Sequence, residues 1–182
     1  MTTETIATTK WALDPTHSDL GFKIKHLMIT NVTGQFTKFD VSATSEDDDF
    51  DSLEITAAID VASINTNNEQ RDVHLKTGDF FETEKYPQIL FKSTGVNKVS
   101  DDELELTGDL TIKGITKPVK LAVEYSGIIK DPYGQSKAGF SFTTKIHRKD
   151  WGVNFNAALE TGGVMLGEDV KVNGEIQLIK QA

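Results

Sequence analysis

Apolar and polar residues alternate at every second position along nearly the whole of this 182-residue chain, and that pattern leaves few folds open. Leu20, Phe22 and Ile24 share one phase, with Asp19, Lys23 and Lys25 in the other. Leu53, Ile55, Ala57, Ile59 and Val61 repeat it, as do Leu104, Leu106, Gly108, Leu110 and Ile112. Val119 to Tyr125, Ala138 to Ile146 and Val170 to Leu178 continue it, again through alternate residues. Side chains two apart on a strand lie on the same face, so each segment is a strand with one apolar side. Eight or so such strands, antiparallel, bury that side by packing as a sandwich or closing as a barrel. The other phase carries Lys, Glu, Asp and Thr, which excludes an outer-membrane barrel, whose lipid face is apolar. One break of phase, across Phe36, Phe39 and Val41, predicts a bulge near Lys38.

Turn chemistry separates the strands. Ser100-Asp101-Asp102-Glu103 and Asp131-Pro132-Tyr133-Gly134 read as hairpin tips. The acidic run Glu46-Asp47-Asp48-Asp49-Phe50-Asp51 lacks the spacing of a calcium loop and reads as a solvated loop. Helical signal is confined to two places: Asn67 or Asn68 as cap of a short helix over 70–75, and Asp79 as cap of one turn over 80–82, stopped by Pro87. The expected organisation is an extended or disordered arm over 1–10 and one domain over 11–182.

Acids outnumber bases by 28 to 19, giving a net charge of -9, and no basic block stands out. Nucleic acid and anionic membrane surfaces are therefore poor partners. The absence of cysteine removes thiol nucleophiles, thiolate metal sites and disulfides. No run reaches the length of a transmembrane helix, and the first ten residues carry neither a basic nor an apolar leader segment. The expected location as written is the cytoplasm, or the periplasm where a signal has been removed.

The inward phase contains small residues: Ala57, Gly95, Gly108, Gly127, Ala138 and Gly174. Either they leave room at the axis of a barrel for one small ligand, or the glycines mark bends and bulges. A hollow barrel would be lined by Phe22, Ile24, Ile59, Phe91, Leu110, Val123, Phe140 and Phe142. Thr144 and Arg148 continue the same phase, so Arg148 either reaches water at a rim or forms the polar end of an apolar cavity. At least one of Arg148 and Arg71 is expected to pair with Asp72, Asp79 or Asp150.

Residues 71–91 have no alternation at all. They crowd Arg71, His74, several acids and the pair Phe80-Phe81 into one crossing between strands, which is the kind of segment that closes a cavity or lines a site. Phe81 is expected to face the cavity and Phe80 to pack beneath the barrel. No G-x-S-x-G, H-E-x-x-H or phosphate loop is present, and His17-Ser18 are strand neighbours that point apart. No His spacing marks a metal site, and no catalytic residue is assigned. The alternative to a binding protein is an enzyme, a hydrolase or isomerase acting on the cavity's ligand, with His74 or His147 as general base.

Three segments together carry a resemblance. They are W-A-L-D-P-T-H-S-D-L-G-F-K-I-K-H-L at 11–27, R-D-V-H-L-K-T-G-D-F-F-E-T-E-K-Y-P-Q-I-L-F-K-S at 71–93 and G-D-L-T-I-K-G-I-T-K-P-V at 108–119. In this order they resemble the YceI-like family of polyisoprenoid-binding proteins, over residues 11 to about 180. The resemblance implies a lipocalin-like, eight-stranded antiparallel barrel with one or two short helices. It implies a tunnel for a long isoprenoid such as a polyprenyl quinone, or a fatty-acid-like lipid; no other cofactor is expected, and the missing nucleophile–base pair favours a carrier or store over an enzyme. It also implies a homodimer, and bacterial relatives that act in the periplasm. His17, Ser18, His26, Arg71, His74, Asp79, Phe80, Phe81, Arg148 and Asp150 occupy the family's motif positions. Of these His26, Arg71, His74, Phe81, Arg148 and Asp150 join the apolar set and Thr144 as the expected ligand contacts.

Overall fold

One long strand, Leu166–Lys180, hydrogen-bonds three others, and the way it divides its edge determines the architecture. The structure is a computed structural model that describes residues 8–27, 29–46, 49–154, 156 and 166–181. In chain order its elements are β1 (Thr8–Leu13), β2 (Asp19–His26), β3 (Thr30–Phe36), β4 (Phe39–Glu46), β5 (Asp49–Asp60) and β6 (Ile64–Asn65). Then come α1 (Glu69–Leu75), β7 (Gln88–Lys98), β8 (Glu103–Ile112), β9 (Ile115–Lys130), β10 (Ser136–His147) and β11 (Leu166–Lys180). Short 3-10 turns fill Pro15–His17, Val61–Ser63 and Arg148–Trp151.

Strands β1, β4, β5, β7, β8, β9, β10 and β11 form a closed antiparallel ring of eight. The last residues of β11 pair with β1, at Leu178↔Leu13 through Lys180↔Trp11. Its earlier residues pair on that same side with β2, at Glu175↔Asp19 through Leu166↔His26. Strands β2, β3 and β6 therefore splay from the ring as a three-stranded extension at one end, and α1 follows directly from β6.

The opposite end is sealed by aromatic rings. Trp11 and Phe50 lie 5.4 Å apart between ring centres, Phe50 meets Phe140 edge-on at 5.1 Å, and Tyr125 packs on both phenylalanines at 4.9 and 5.4 Å. Such rings bury large apolar areas. Trp11 Nε1 donates to Ser45 Oγ at 3.0 Å, so its polar edge is satisfied inside the core. Outside this plug, Asp14 Oδ2 holds His17 Nδ1 at 2.8 Å and Lys137 Nζ at 3.0 Å, and Asp131 meets the same lysine at 3.5 Å.

Several sequence expectations change. The break of phase at Phe36 and Phe39 is a change of strand: β3 ends at Phe36, β4 begins at Phe39, and Lys38 makes no bulge. Most of the acidic run belongs to strands: Glu46 ends β4, β5 begins at Asp49, and Phe50 is buried in the plug, while 47–48 lie outside the described residues. The short helix starts one residue early, at Glu69, with Asn68 Oδ1 capping Arg71 N at 3.0 Å. No helix forms after Asp79, where successive turns run from Gly78 to Lys85. Thr8 to Lys10, the end of the expected extended or disordered arm, run as strand beside β4, and the rest of that arm lies outside the described residues.

Candidate functional site

The inner face of the ring is not filled. An inner chamber of about 140 Å³ runs along the barrel axis, and an outer chamber of about 520 Å³ opens between the β2–β3 extension and the 64–81 crossing. Leu20, Ile59, Leu110, Ile146 and Val172 line both, so the two chambers abut at an apolar collar, and together they are called the tunnel. The inner chamber is apolar except for Thr144, whose hydroxyl is turned away to donate to the Lys120 carbonyl at 2.8 Å. This is the expected consequence of alternation: the inward faces of β5, β8 and β9 turn to the same axis.

The in-phase glycines do two different things. A Cβ at Gly108 would come within 2.4 Å of the Phe91 ring and 2.7 Å of the Lys92 carbonyl. One at Gly174 would come within 2.5 Å of the Phe142 ring and 2.8 Å of the Asp19 carbonyl. These two glycines are recesses into which large rings fold back against the wall, keeping the lumen open. Gly95 and Gly127 instead accompany bulges: the register shifts between Ser93 and Gly95, and again where Gly139 faces Gly127 and Phe140 faces Tyr125. Ala138 is fully buried against the plug and does not line the tunnel, whereas Ala57 does.

Polar side chains gather at the open end. Arg71 comes from α1, and its Nε donates to Thr66 Oγ1 at 2.8 Å and its Nη2 to the Thr66 carbonyl at 2.8 Å. The Thr66 hydroxyl in turn donates to Asp72, so the expected Arg–carboxylate pair is relayed through a hydroxyl rather than direct. Among the described residues no carboxylate lies within ion-pair distance of Arg71. Arg148 is 4% exposed; its Nε donates to the Gly167 carbonyl at 2.8 Å and its Nη1 to the Val153 carbonyl at 2.7 Å. Burial lowers the pKa of this guanidinium and the nearby Glu168 charge opposes that, while an arginine remains protonated throughout. His74 Nε2 lies 2.8 Å from Asp79 Oδ2, and its ring meets Phe80 edge-on at 5.1 Å.

The expected site residues therefore separate by position. Phe91, Val123, Phe140, Phe142 and Thr144 line the inner chamber, and Ile59 and Leu110 stand at the collar. Phe22, Ile24, His26, Arg71, His74, Phe81 and Arg148 line the outer chamber. Asp150 is exposed on the turn after β10 and is off the tunnel wall. It points away because the 3-10 turn at Arg148–Trp151 swings it outward while burying Arg148 and Trp151. Phe80 also lines the outer chamber, contrary to expectation: turns replace the strand or helix that would have sent consecutive rings to opposite sides. His147 faces solvent among Glu168 and Asp169, and His17 and Ser18 serve the sealed end. Thr66, Asn68 and Gln70 join the wall without any sequence signal for binding beyond their place beside the helix cap. Among the described residues no group of three or more His, Cys, Asp or Glu could hold a metal, and no helix is long and apolar enough to cross a membrane.

Comparison with known proteins agrees with this architecture. The YceI-like domain family matches residues 11–178. A UPF0312 protein of Staphylococcus aureus is 48% identical over 164 residues, which is 90% of this chain and 93% of the relative. The crystal structure of a Campylobacter jejuni YCEI protein superposes with a TM-score of 0.76 at 34% identity, covering 100% of both chains. A polyisoprenoid binding domain from Saccharophagus degradans shares the fold at a TM-score of 0.66 and 16% identity, covering 94% of this chain and 98% of that one.

Proposed function

The chain belongs to the YceI-like family, and we propose that it binds a long-chain isoprenoid lipid in its tunnel and carries or stores it without chemical change. The observation that supports this reading is the tunnel itself: its inner chamber is apolar but for Thr144, whose hydroxyl is turned away, and charged and imidazole side chains gather at its open end. Such a lining suits an amphiphile with its tail inward and its head among Arg71, His74, His26 and Arg148. The Saccharophagus degradans domain of the same fold is a polyisoprenoid binding domain, a ligand class that matches this lining. The tail supplies the affinity in this reading. Each buried methylene contributes ~0.8 kcal/mol, so about ten contribute roughly 8 kcal/mol, near micromolar before the costs of association. The head group then selects among lipids.

Catalysis is the weaker reading. His74 has a carboxylate neighbour in Asp79, as a general base would. The hydroxyl on the outer chamber wall, Thr66 Oγ1, is already committed, accepting from Arg71 and donating to Asp72. Among the described residues lining that chamber there is no serine or cysteine nucleophile. Organic extraction of the purified protein, followed by mass spectrometry, tests the proposal. An intact prenyl lipid near one per chain is the expected result. Neither co-purified lipid nor uptake of an added prenol, or conversion of that prenol to product, would oppose it.

A further inference from the structure

Large apolar side chains stand exposed beside the tunnel mouth: Ile29 is 78% exposed, Val73 58% and Leu27 39%. The chain ties each to the outer chamber. Leu27 follows His26 and Ile29 belongs to the same β2–β3 connection, while Val73 precedes His74, and both histidines line the chamber. Gln70, Arg71, His74 and Leu75 turn the inner side of α1 to the tunnel, which leaves Val73 facing solvent.

Isolated exposed apolar residues are ordinary on a protein surface, and the sealed end has its own in Val99, Ile129 and Tyr133. Two features set the mouth apart. Leu27 holds φ at +52°, a left-handed conformation that costs an L-residue energy and that Gly or Asn adopts more readily. The other non-glycine residues at positive φ among those described are Asn67, Glu82 and Lys113, all polar. A strained leucine displayed to solvent points to a use for its side chain. Second, the exposed side chains stand one to three residues along the chain from the lining of a tunnel whose proposed cargo dissolves in bilayers and not in water.

We infer that the rim formed by Leu27, Ile29 and Val73 docks on a neutral lipid bilayer, so that a lipid tail passes between membrane and tunnel without crossing water. This rests on the lipid-tunnel reading above. The net charge of -9 opposes an anionic surface, which leaves apolar contact as the attraction and zwitterionic lipid as the partner. The contact is shallow and reversible, as three side chains at the interface provide no permanent anchor.

Transfer kinetics test this. The full chain is loaded with a fluorescent geranylgeranyl probe and mixed with phosphatidylcholine vesicles that carry a quencher. Transfer by collision makes the rate rise in proportion to vesicle concentration; transfer through water does not. The wild type is expected to show the proportional rise. The Ile29→Ser/Val73→Ser variant is expected to transfer about tenfold more slowly at the highest vesicle concentration, with equilibrium uptake of the probe unchanged. Each single variant should fall between, and Ile129→Ser/Tyr133→Ser at the sealed end should match wild type. A wild-type rate independent of vesicle concentration, or a double variant with the wild-type slope, overturns the docking rim. Failure of the wild type to take up the probe at all overturns the tunnel reading, and the rim with it.

Discussion

Phe80 and Phe81 are adjacent in sequence, and both line the outer chamber, yet their surroundings differ. Phe80 is buried against the His74 ring, whereas Phe81 is half-buried and meets the edge of Phe36 at 6.5 Å. Phe80→Ala should therefore cost stability, ~3–5 kcal/mol as for buried aromatic truncations. Phe81→Ala should instead weaken lipid retention more than it lowers Tm. Thermal unfolding and probe titration on the two variants separate the roles, and equal losses of stability and binding at Phe81 would make it a packing residue of the chamber wall. Gly108 supports a second residue-scale prediction. A methyl there meets the Lys92 carbonyl, which belongs to the sheet and cannot move away, as well as the Phe91 ring, which can turn only into the lumen. Gly108→Ala should cost ~1–3 kcal/mol by denaturant unfolding and reduce probe binding at the same time.

The elements that alternate cleanly were legible from sequence; those that depend on distant partners were not. Strands β5, β8, β9 and β10 put Ile59, Leu110, Val123 and Phe140 on the inner face as their phase requires. Nothing local shows that β11 changes partner along one edge, from β2 to β1, and that change creates the open end of the tunnel. Two acceptors for Arg148 were hidden for a similar reason: they are the backbone carbonyls of Gly167 and Val153, and a carbonyl has no residue type to read. Phe80 escaped its expected direction because the 78–85 segment turns repeatedly instead of holding one period. The contact between the turn after β1 and the start of β10 was also invisible locally, and it has a pH signature. The hydrogen bond from His17, and next Lys137, lower the Asp14 pKa from 3.8 to about 2 against the opposing effect of burial. A carboxylate depressed in the folded state stabilises the fold above its unfolded pKa, and that contribution is lost as pH falls through the folded value. Stability should drop between about pH 4 and pH 2, with Asp14→Asn flatter over that window and less stable by ~1 kcal/mol near neutrality, a figure reduced for solvent screening. Parallel thermal melts of the two proteins across the window check this; identical pH profiles would mean that Asp14 has no part in acid stability.

At the scale of the whole molecule, the eight-stranded ring is a container with one sealed and one open end. The plug of Trp11, Phe50, Tyr125 and Phe140 ends the tunnel, glycine recesses keep Phe91 and Phe142 off its axis, and the β2–β3 extension with α1 forms the mouth. Family membership and geometry agree on the same shape. The central claim is that the inner chamber holds the lipid tail. Ala57 is a small residue on that chamber's wall, remote from the polar mouth, so enlarging it obstructs the tail and leaves the head-group side chains in place. The most direct measurement is the affinity of a fluorescent geranylgeranyl probe for the wild type and for Ala57→Trp, with Tm recorded on both. Saturable one-to-one uptake by the wild type, weakened about tenfold or more in a variant that still unfolds cooperatively, is the predicted result. No uptake by the wild type, or equal affinity in the folded variant, would contradict it.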